Sequence, residues 1–322
     1  MKSKIMAFCI GLMPLFVHAA DWQPTKPIKA FSPFTAGSAN DISLRITSIE
    51  VQKLTGAEII VDVKPGAGGS LVNDFINKQK PDGYTVSASS IPALGATDKL
   101  TLANRDFTAK DFSYAINIAS IPMTIVAYPS DPVNNIKDFA KVMKSEPVTI
   151  GDPGAAARLV YELCAEYIGF IEDPKNVVRV EYKGPADTLR DVIGKQVRFG
   201  IMPLTVSQPA HAAGKVKIIA VTSEHELKTI PGVKTASYAY PEFIFNLEVV
   251  LTLAPNTPKE IIDWYVTNYN KALSNPAVVE SLEKNQMFVN KKLLNSKDTT
   301  NYILSYEKRY AKIVDKILAS QK

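Results

Sequence analysis

Short apolar runs alternate with longer stretches of helical spacing along most of the chain. The run "IKAFSPF" (28–34) precedes a stretch in which Ile42, Ile46 and Ile49 recur at i, i+4 and i+7, as on one face of a helix. Further pairs of this kind follow through the middle of the chain. Strands that alternate with helices form mainly parallel sheets. The pattern therefore predicts an α/β protein, closed by two C-terminal helices around 259–274 and 299–320.

Two apolar runs are longer than the others and lie far apart in the sequence. They are "FSYAINIASIPMTIVAYP" (112–129) and "FIFNLEVVLTLAP" (243–255). Runs of this length suit two crossings of the chain between two lobes. The prediction is a first lobe of residues 20–122 and 246–322, a second lobe of residues 123–245, and a ligand cleft between them.

The first residues have the pattern of a secretory signal peptide. A basic start, "MKSK", precedes the apolar run "IMAFCIGLMPLFV" (5–17), which is short for a membrane span, and small residues follow at Val17 and Ala19. We expect a signal peptide over residues 1–19, cleavage after Ala19 or Ala20, and export to the periplasm. An uncleaved N-terminal membrane anchor is the alternative.

Composition and charge exclude several classes of function. The chain has 322 residues, 46% of them hydrophobic, which is enough for a large core. Loss of Lys2 and Lys4 with the signal lowers the formal net charge from +5 to +3. This charge is dispersed, and no basic run with interleaved aromatic residues suggests nucleic-acid binding. Cys164 is then the one remaining cysteine, so no internal disulfide is expected, and its apolar surroundings predict a buried thiol.

Motifs for catalysis and for metal or cofactor binding are missing from the sequence. His211 and His225 have no cysteine or second histidine at metal-ligand spacing. There is no nucleophile elbow and no glycine-rich loop with the spacing of a nucleotide-binding motif. The sequence therefore predicts a protein that is not an enzyme and that has no cofactor and no metal site.

Four turns between predicted strands and helices are rich in small and hydroxyl residues. In a parallel sheet such turns lie at the carboxyl edge of the strands, where open N–H groups and helix N-termini stabilise anions. Each also has a structural explanation: Ser38, Asn40 and Asp41 are good helix caps, and Arg158 could grip a carboxylate or lie on the surface. The four turns are "TAGSAND" (35–41), "PGAGGS" (65–70), "SASSIPALG" (87–95) and "GDPGAAAR" (151–158).

The order of the motifs resembles a known family over nearly the whole chain after the signal. The motifs are "PFTAGSANDISLR", "VKPGAGGS", "PDGYTVSASS", "VEYKGPADTLRDVIGKQV", "AAGKVKIIAVTS", "LKTIPGVKT" and "LAPNTP". They are similar to those of the periplasmic receptors of tripartite tricarboxylate transporters, the Bug family. The resemblance implies a type II periplasmic binding-protein fold (Venus flytrap), with two α/β lobes, each a mainly parallel sheet flanked by helices. It also implies a small organic acid as ligand, a di- or tricarboxylate or an aromatic acid, and transient docking on membrane permease subunits. We expect a monomer without a nucleic-acid partner.

The resemblance also assigns ligand-binding residues. The first turn would hold a carboxylate, the turn after the third strand would contribute two serines, and the second lobe would contribute its glycine-alanine turn. Asn40 and Asp41 would cap the following helix instead. The residues that the resemblance assigns are Phe34, Thr35, Ala36, Gly37, Ser38, Ser89, Ser90, Gly154, Ala155, Ala156 and Ala157. The predicted site also includes Arg158, from its place at the start of a helix, and Met202 and Pro203, which stand at a position where relatives often have other residues.

The chain departs from the family pattern at three of these places. Ser38 replaces a second glycine that many relatives have, and the turn "GAAAR" lacks their serine or threonine. Met202-Pro203 stands where relatives often have Asp-Asn, which argues against an amino-acid ligand. Two alternatives to a transport receptor remain at this point, a receptor that serves a sensor kinase and an enzyme of the same fold acting on a carboxylate.

Overall fold

The computed structural model describes residues 22–94, 107–169, 177–182 and 184–320. The predicted signal peptide lies outside the described residues. Within those ranges no helix combines the length and the apolar character that a membrane crossing needs.

Helices and strands alternate through the first two thirds of the chain, as the periodicity predicts. The N-terminal part contains β1 (Ile28–Ser32), α1 (Ala39–Thr55), β2 (Ile59–Val63), α2 (Ser70–Asn77), β3 (Thr85–Ser90), the short α3 (Ile91–Leu94) and β4 (Ser113–Ala127). The middle contains α4 (Ile136–Ser145), β5 (Val148–Asp152), α5 (Ala155–Cys164), β6 (Val177–Glu181), α6 (Pro185–Ile193), β7 (Phe199–Pro203), α7 (Leu204–Ala212) and β8 (Lys217–Val221). The C-terminal part contains β9 (Asn246–Leu253), α8 (Lys259–Ser274), α9 (Pro276–Lys284) and α10 (Ser296–Ser320).

The strands are hydrogen-bonded in the order β2-β1-β3-β9-β4-β7-β5-β6, and β8 also pairs with β4. Strand β1 is parallel to β2 and β3, and β5 is parallel to β6 and β7. Strands β9 and β4 are antiparallel to their neighbours. The predicted α/β fold is confirmed, and the two long apolar runs are its antiparallel strands.

Strand β4 belongs to two sheets in succession. Its first part pairs with β9, up to Pro122 opposite Asn246. From Met123 onward it pairs with β7 and β8 instead. We call β2, β1, β3, β9 and this first part of β4 the first sheet, and the remaining strands with the end of β4 the second sheet. The partner change therefore lies between residues 122 and 123, close to the point where the chain returns at Asn246.

Thr222 joins the two segments that run between the sheets. Its N–H donates to the carbonyl of Met123 (2.9 Å), and its own carbonyl accepts from the N–H of Phe245 (2.9 Å). Its hydroxyl accepts from the N–H of Met123 (2.9 Å) and also contacts the carbonyl of Phe245. Because Thr222 is fully buried, solvent water cannot replace a hydrogen bond that one of these groups loses.

Thr222→Val is expected to lower the free energy of unfolding by about 2–3 kcal/mol, since valine keeps the shape but leaves buried backbone groups unpaired. Urea denaturation monitored by circular dichroism would measure the change. Thr222→Ser keeps the hydroxyl and should lose less than the valine variant. Equal stability of the valine variant and the native chain would contradict the structural role of this hydroxyl.

Buried apolar side chains form clusters on the faces of the sheets. One cluster packs α1 and α8 on the first sheet and includes Leu44, Tyr265 and Leu251. A second cluster extends from α2 and α3 through α4 and α5 to α10, so it contains residues packed on both sheets. A further cluster joins β7, β8 and α7. The second cluster therefore joins elements of the first sheet to elements of the second sheet.

Candidate ligand-binding site

The turns that follow β1, β2 and β3 pack directly on one another. Gly69, in the second turn, has a positive φ of 97°, and a Cβ atom built there would lie 3.3 Å from Cβ of Pro33 and 3.4 Å from Cβ of Ala93. It would also lie 3.4 Å from Cζ of Phe34. The glycine therefore lets the second turn touch both the first and the third, and the structural explanation of "PGAGGS" fits this packing.

The first turn combines a helix cap with an exposed backbone. Ser38 is the N-cap of α1, and its Oγ accepts from the N–H of Asp41 (3.3 Å). The carboxylate of Asp41 accepts from the N–H of Gly37 (2.9 Å) and pairs with Nε of Arg45 (2.9 Å). The predicted capping role is therefore present at Asp41. It is wrong for Asn40, whose Nδ2 donates to the carbonyl of Ala88 (2.8 Å) and so ties α1 to β3.

Three residues of the first turn are exposed to solvent. Thr35, Ala36 and Gly37 are exposed, whereas Phe34 and Ser38 are half-buried. The N–H groups of the first helical residues of α1 have no acceptor within the helix. They add to the exposed backbone of residues 35–37, so this turn can still present donors to an anion beyond those used by its own cap.

The turn after β3 is fixed by a buried asparagine that the sequence reasoning missed. Oγ of Ser89 donates to Oδ1 of Asn73 (2.6 Å), and Nδ2 of Asn73 donates to the carbonyl of Ala93 (2.9 Å). Ser89 is fully buried and Ser90 is 3% exposed. The hydroxyl of Ser89 therefore positions this turn. The available signal was a polar residue within the apolar face of α2, between Val72 and Ile76.

A second buried residue that sequence reasoning missed organises the turn after β5. One carboxylate oxygen of Asp152 accepts from the N–H of Gly154 (2.9 Å), and the other accepts from Nη1 of Arg179 (2.9 Å). Burial raises the pKa of Asp152 to about 6, against the lowering effects of Gly154 and Arg179. Asp152 thus fixes the start of α5, where Gly154 is the N-cap.

Gly154→Ala is expected to lower the free energy of unfolding by about 1–3 kcal/mol, because φ near 130° with extended ψ is accessible essentially only to glycine. No atom lies within 4 Å of a Cβ built at this position, so the cost is backbone strain without a clash. Gly214→Ala is a matched control, with equally open space and a φ of 66° in the left-handed region. Urea denaturation should show the larger loss at Gly154, and a larger loss at Gly214 would contradict this account.

Arg158 is a buried residue, so the alternative of a surface arginine is wrong. Its Nη2 lies 2.7 Å from Oε1 of Glu162, one turn further along α5, and the two side chains are 10% and 6% exposed. The guanidinium also lies over the ring of Tyr161, 5.4 Å from its centroid. Its charge is therefore neutralised within the helix, and contact with a ligand stays a prediction.

The remaining predicted pair, Met202-Pro203, ends β7. The side chain of Met202 is fully buried in the cluster of β7, β8 and α7, and its carbonyl accepts from Oγ1 of Thr124 (3.0 Å). Pro203 is half-buried and is the N-cap of α7. Of the two side chains, that of Pro203 is therefore the one that is partly exposed, at the end of β7.

Elements of the first and second sheets meet where the predicted turns lie. Helix α3, which follows Ser90, contacts α5, which begins at Ala155. Ala156 is half-buried and packs against two clusters, the one on the first sheet and the one that extends over both sheets. The turn after β3 is thus a neighbour of the start of α5, and the turn at Gly69 joins it to the first turn. Among the described residues, no group of histidine, cysteine, aspartate and glutamate side chains could hold a metal ion.

Known proteins match this chain over most of its length. A family model described as the tripartite tricarboxylate transporter family receptor matches residues 44–318. A UPF0065 protein of Bordetella bronchiseptica is 27% identical over 271 residues, which cover 83% of this chain and 79% of the relative.

Solved structures of periplasmic binding proteins share the fold. The periplasmic binding protein BugD is 25% identical, with a TM-score of 0.75 over 91% of this chain and 98% of its own. MatC from Rhodopseudomonas palustris, solved with bound malate, has a TM-score of 0.78 at 21% identity over 91% of this chain and all of its own. Another R. palustris protein, solved with adipate, has a TM-score of 0.79 at 23% identity, over 91% of this chain and 97% of its own. The predicted two-lobe binding-protein fold is confirmed.

Proposed function

The chain belongs to the tripartite tricarboxylate transporter receptor family, whose members are solute-binding proteins and not enzymes, and from this premise we propose that it captures a small dicarboxylate between two lobes. The lobes are residues 20–122 with 246–322, and residues 123–245. The partner change in β4 at residues 122 and 123, and the return of the chain at Asn246, support this division.

The observation that carries the proposal is a pair of helix starts that follow exposed turns, α1 after residues 35–37 on the first sheet and α5 after Gly154 on the second. The N–H groups of Thr35, Ala36 and the start of α1 would supply one set of donors, since that of Gly37 already donates to Asp41, and the N–H groups at the start of α5 after Gly154 would supply the other. A dicarboxylate has one anionic group for each set. The proteins solved with malate and with adipate, both dicarboxylates, share the fold. We therefore place the ligand against Thr35, Ala36, Gly37, Ser90 and the turn 154–157.

Charged side chains close to these turns are paired with one another. Arg45 pairs with Asp41, Arg158 with Glu162, and Arg179 with Asp152. Because each of these guanidiniums already has a carboxylate partner, the charge of the ligand would be stabilised mainly by backbone N–H groups and helix N-termini.

Ligand binding would then favour the closed arrangement of the lobes. A ligand that touches both sets of donors binds the closed state better than the open one, and only this difference in affinity shifts the equilibrium. The segments at residues 122–123 and 245–246 would act as the hinge. The closed receptor would deliver its ligand to the membrane permease of the transporter.

Calorimetric titration with malate, adipate, citrate, benzoate and the neutral compound succinamide tests the ligand class. We expect at least one dicarboxylate to bind with saturation and succinamide not to bind. A dicarboxylate at 100 times its Kd would add about 2.7 kcal/mol to the stability of the folded state, which thermal denaturation would detect. If none of the acids bound, the proposed function would be wrong.

The same titration tests the location of the site. Gly154→Ala should lower the affinity for the dicarboxylate, because it disturbs the N–H donors at the start of α5. Gly214→Ala should bind the dicarboxylate with the affinity of the native chain. Equal affinities for all three proteins would remove the turn 154–157 from the site.

Export and delivery can be tested in the native organism. The N-terminus of the mature chain, determined by mass spectrometry, should be Ala20 or Asp21. Deletion of the gene should abolish uptake of the labelled dicarboxylate identified by titration, and the intact gene should restore it. Unchanged uptake in the deletion strain would contradict the transport role.

A further inference from the structure

A short segment after α9, residues 287–290, pairs with β4 beside the point where β4 changes partners. The N–H of Ser120 donates to the carbonyl of Phe288 (2.8 Å), and the N–H of Phe288 donates to the carbonyl of Ser120 (2.9 Å). The two residues form an isolated antiparallel bridge. Ser120 lies two residues before Pro122, which ends the pairing of β4 with β9. We call residues 287–290 the bridging segment, and it meets β4 next to the proposed hinge.

Consecutive side chains of the bridging segment pack on different sheets. Met287 is fully buried in the cluster of the first sheet, and Val289 packs against the same cluster. Phe288 is half-buried and packs against the cluster of β7, β8 and α7 instead. Successive side chains of a strand-like segment point to opposite faces, which accounts for this alternation. The ring of Phe288 therefore lies on the second sheet, although its neighbours on both sides pack on the first.

Buried hydrogen bonds fix the bridging segment to the first sheet. Oε1 of Glu248 accepts from Nδ2 of Asn290 (3.0 Å) and from Oγ of Ser120 (2.9 Å). Glu248 lies on β9 and is 1% exposed. Because the backbone and both flanking side chains of Phe288 are held by the first sheet, the segment would move with that sheet.

A rotation of the lobes about residues 122–123 and 245–246 would therefore change the contact of Phe288. The bridging segment would stay with the first sheet, and the cluster of β7, β8 and α7 would stay with the second. In the described structure the two sheets also meet on the ligand side, where Ala156 at the start of α5 packs against the cluster of the first sheet. Phe288 is thus packed on the second sheet in an arrangement in which the start of α5 touches the first.

We propose that Phe288 is a positioning residue for the ligand site, which stabilises the closed arrangement by packing on the second lobe and so raises the affinity for the ligand. It is not one of the residues assigned to the ligand, so it would act through the equilibrium between the open and closed states. Its effect on affinity rests on the proposed function. Its effect on the lobes needs no ligand, because the apolar contact is lost from water whether or not the cleft is filled.

The distance between the lobes tests the proposal directly. Asp62, near the end of β2, and Ala186, at the start of α6, are both exposed, and Cys164 is fully buried and should not react with a label. Nitroxide labels on Asp62→Cys and Ala186→Cys in the mature chain would report the distance by pulsed electron paramagnetic resonance. Without ligand, Phe288→Ala should raise the fraction of long distances at least twofold. Phe288→Leu keeps part of the apolar contact and should shift the distances less, in the same direction.

Val289→Ala is the matched control, because Val289 packs against the cluster of the first sheet. Urea denaturation should show a loss of stability in both alanine variants, but Val289→Ala should keep the native distances. Native distances in both Phe288→Ala and Phe288→Leu would overturn the proposal, as would an equal shift in Val289→Ala.

Calorimetric titration with the dicarboxylate that the native chain binds completes the test. Phe288→Ala should bind it at least threefold more weakly, and Val289→Ala should bind it with native affinity. Native affinity in Phe288→Ala would overturn the positioning role. If no acid bound the native chain, the proposed function would fail, and the label distances would still decide whether Phe288 holds the lobes together.

Discussion

Replacing Arg158 by alanine is expected to lower the free energy of unfolding by about 3–5 kcal/mol, because it removes the guanidinium that pairs with the buried carboxylate of Glu162. The two side chains lie 2.7 Å apart and are 10% and 6% exposed. The double variant Arg158→Leu/Glu162→Leu removes both charges and fills the space with apolar atoms. Its stability should lie much closer to that of the native chain. Urea denaturation of the three proteins would measure these differences.

Two surface ion pairs of one arginine on α6 provide the control for this prediction. Arg190 is 68% exposed and contacts Asp187 and Asp191, so Arg190→Ala should change stability little. If Arg158→Ala were as stable as the native protein, the pair with Glu162 would contribute nothing. If the double variant were as unstable as the single one, the loss would come from packing and not from the broken pair between Arg158 and Glu162.

The ion pair also changes how a ligand-binding role of Arg158 has to be measured. Alanine at this position would disturb α5 whether or not the guanidinium touches a ligand, so weaker binding by that variant has two explanations. The double leucine variant separates them, provided that it folds. A stable double variant that binds the dicarboxylate normally would exclude Arg158 from the ligand site.

The stability difference between the native chain and Glu248→Gln is expected to depend strongly on pH. Burial raises the pKa of Glu248 from its ordinary value of 4.5 to about 7, although Ser120, Asn290 and Asn117 donate to its carboxyl group and lower it. The folded chain therefore holds a proton that the unfolded chain has released between these pH values. Native stability, relative to the variant, should fall by about 3 kcal/mol as the pH rises through this window and stay constant above it.

Chemical denaturation at pH values from 4 to 8 would measure this difference. Glutamine has the shape of the protonated acid, and Oδ1 of Asn117, which has no hydrogen-bond partner among the described residues, could accept from the new amide if Asn117 turns. Glu58→Gln, at an exposed position, measures the effect of removing a surface charge. A constant difference between the native chain and Glu248→Gln across the pH range would show that Glu248 does not carry a raised pKa.

Much of the fold was predictable because it depends on periodic patterns. The alternation of strand and helix predicted the α/β sheet, and the run at 112–129 contains β4, the strand that serves both sheets. The antiparallel direction of β9 was not predictable in this way. Apolar spacing identifies a buried strand, but the direction of its neighbours depends on how distant segments meet.

The candidate site was predictable in its turns but less so in its side chains. Glycines such as Gly69 mark turns that pack closely on neighbouring turns, and the sequence pattern reveals such turns well. The polar contacts were harder, because the partner of each buried group is remote or unmarked. Asn73 fixes Ser89 and Asp152 fixes Gly154. Asn73 stands in no motif, and the turn that contains Asp152 was identified without a role for its carboxylate.

The position of β9 has a consequence for the order in which the chain can fold. Strand β9 lies between β3 and β4, so the first sheet is incomplete until residues 246–253 are available. The second sheet uses only a contiguous stretch of chain that ends with β8. Contacts between segments distant in sequence form slowly, because loop closure has to precede them. The middle of the chain can therefore assemble first, while the two ends wait for each other.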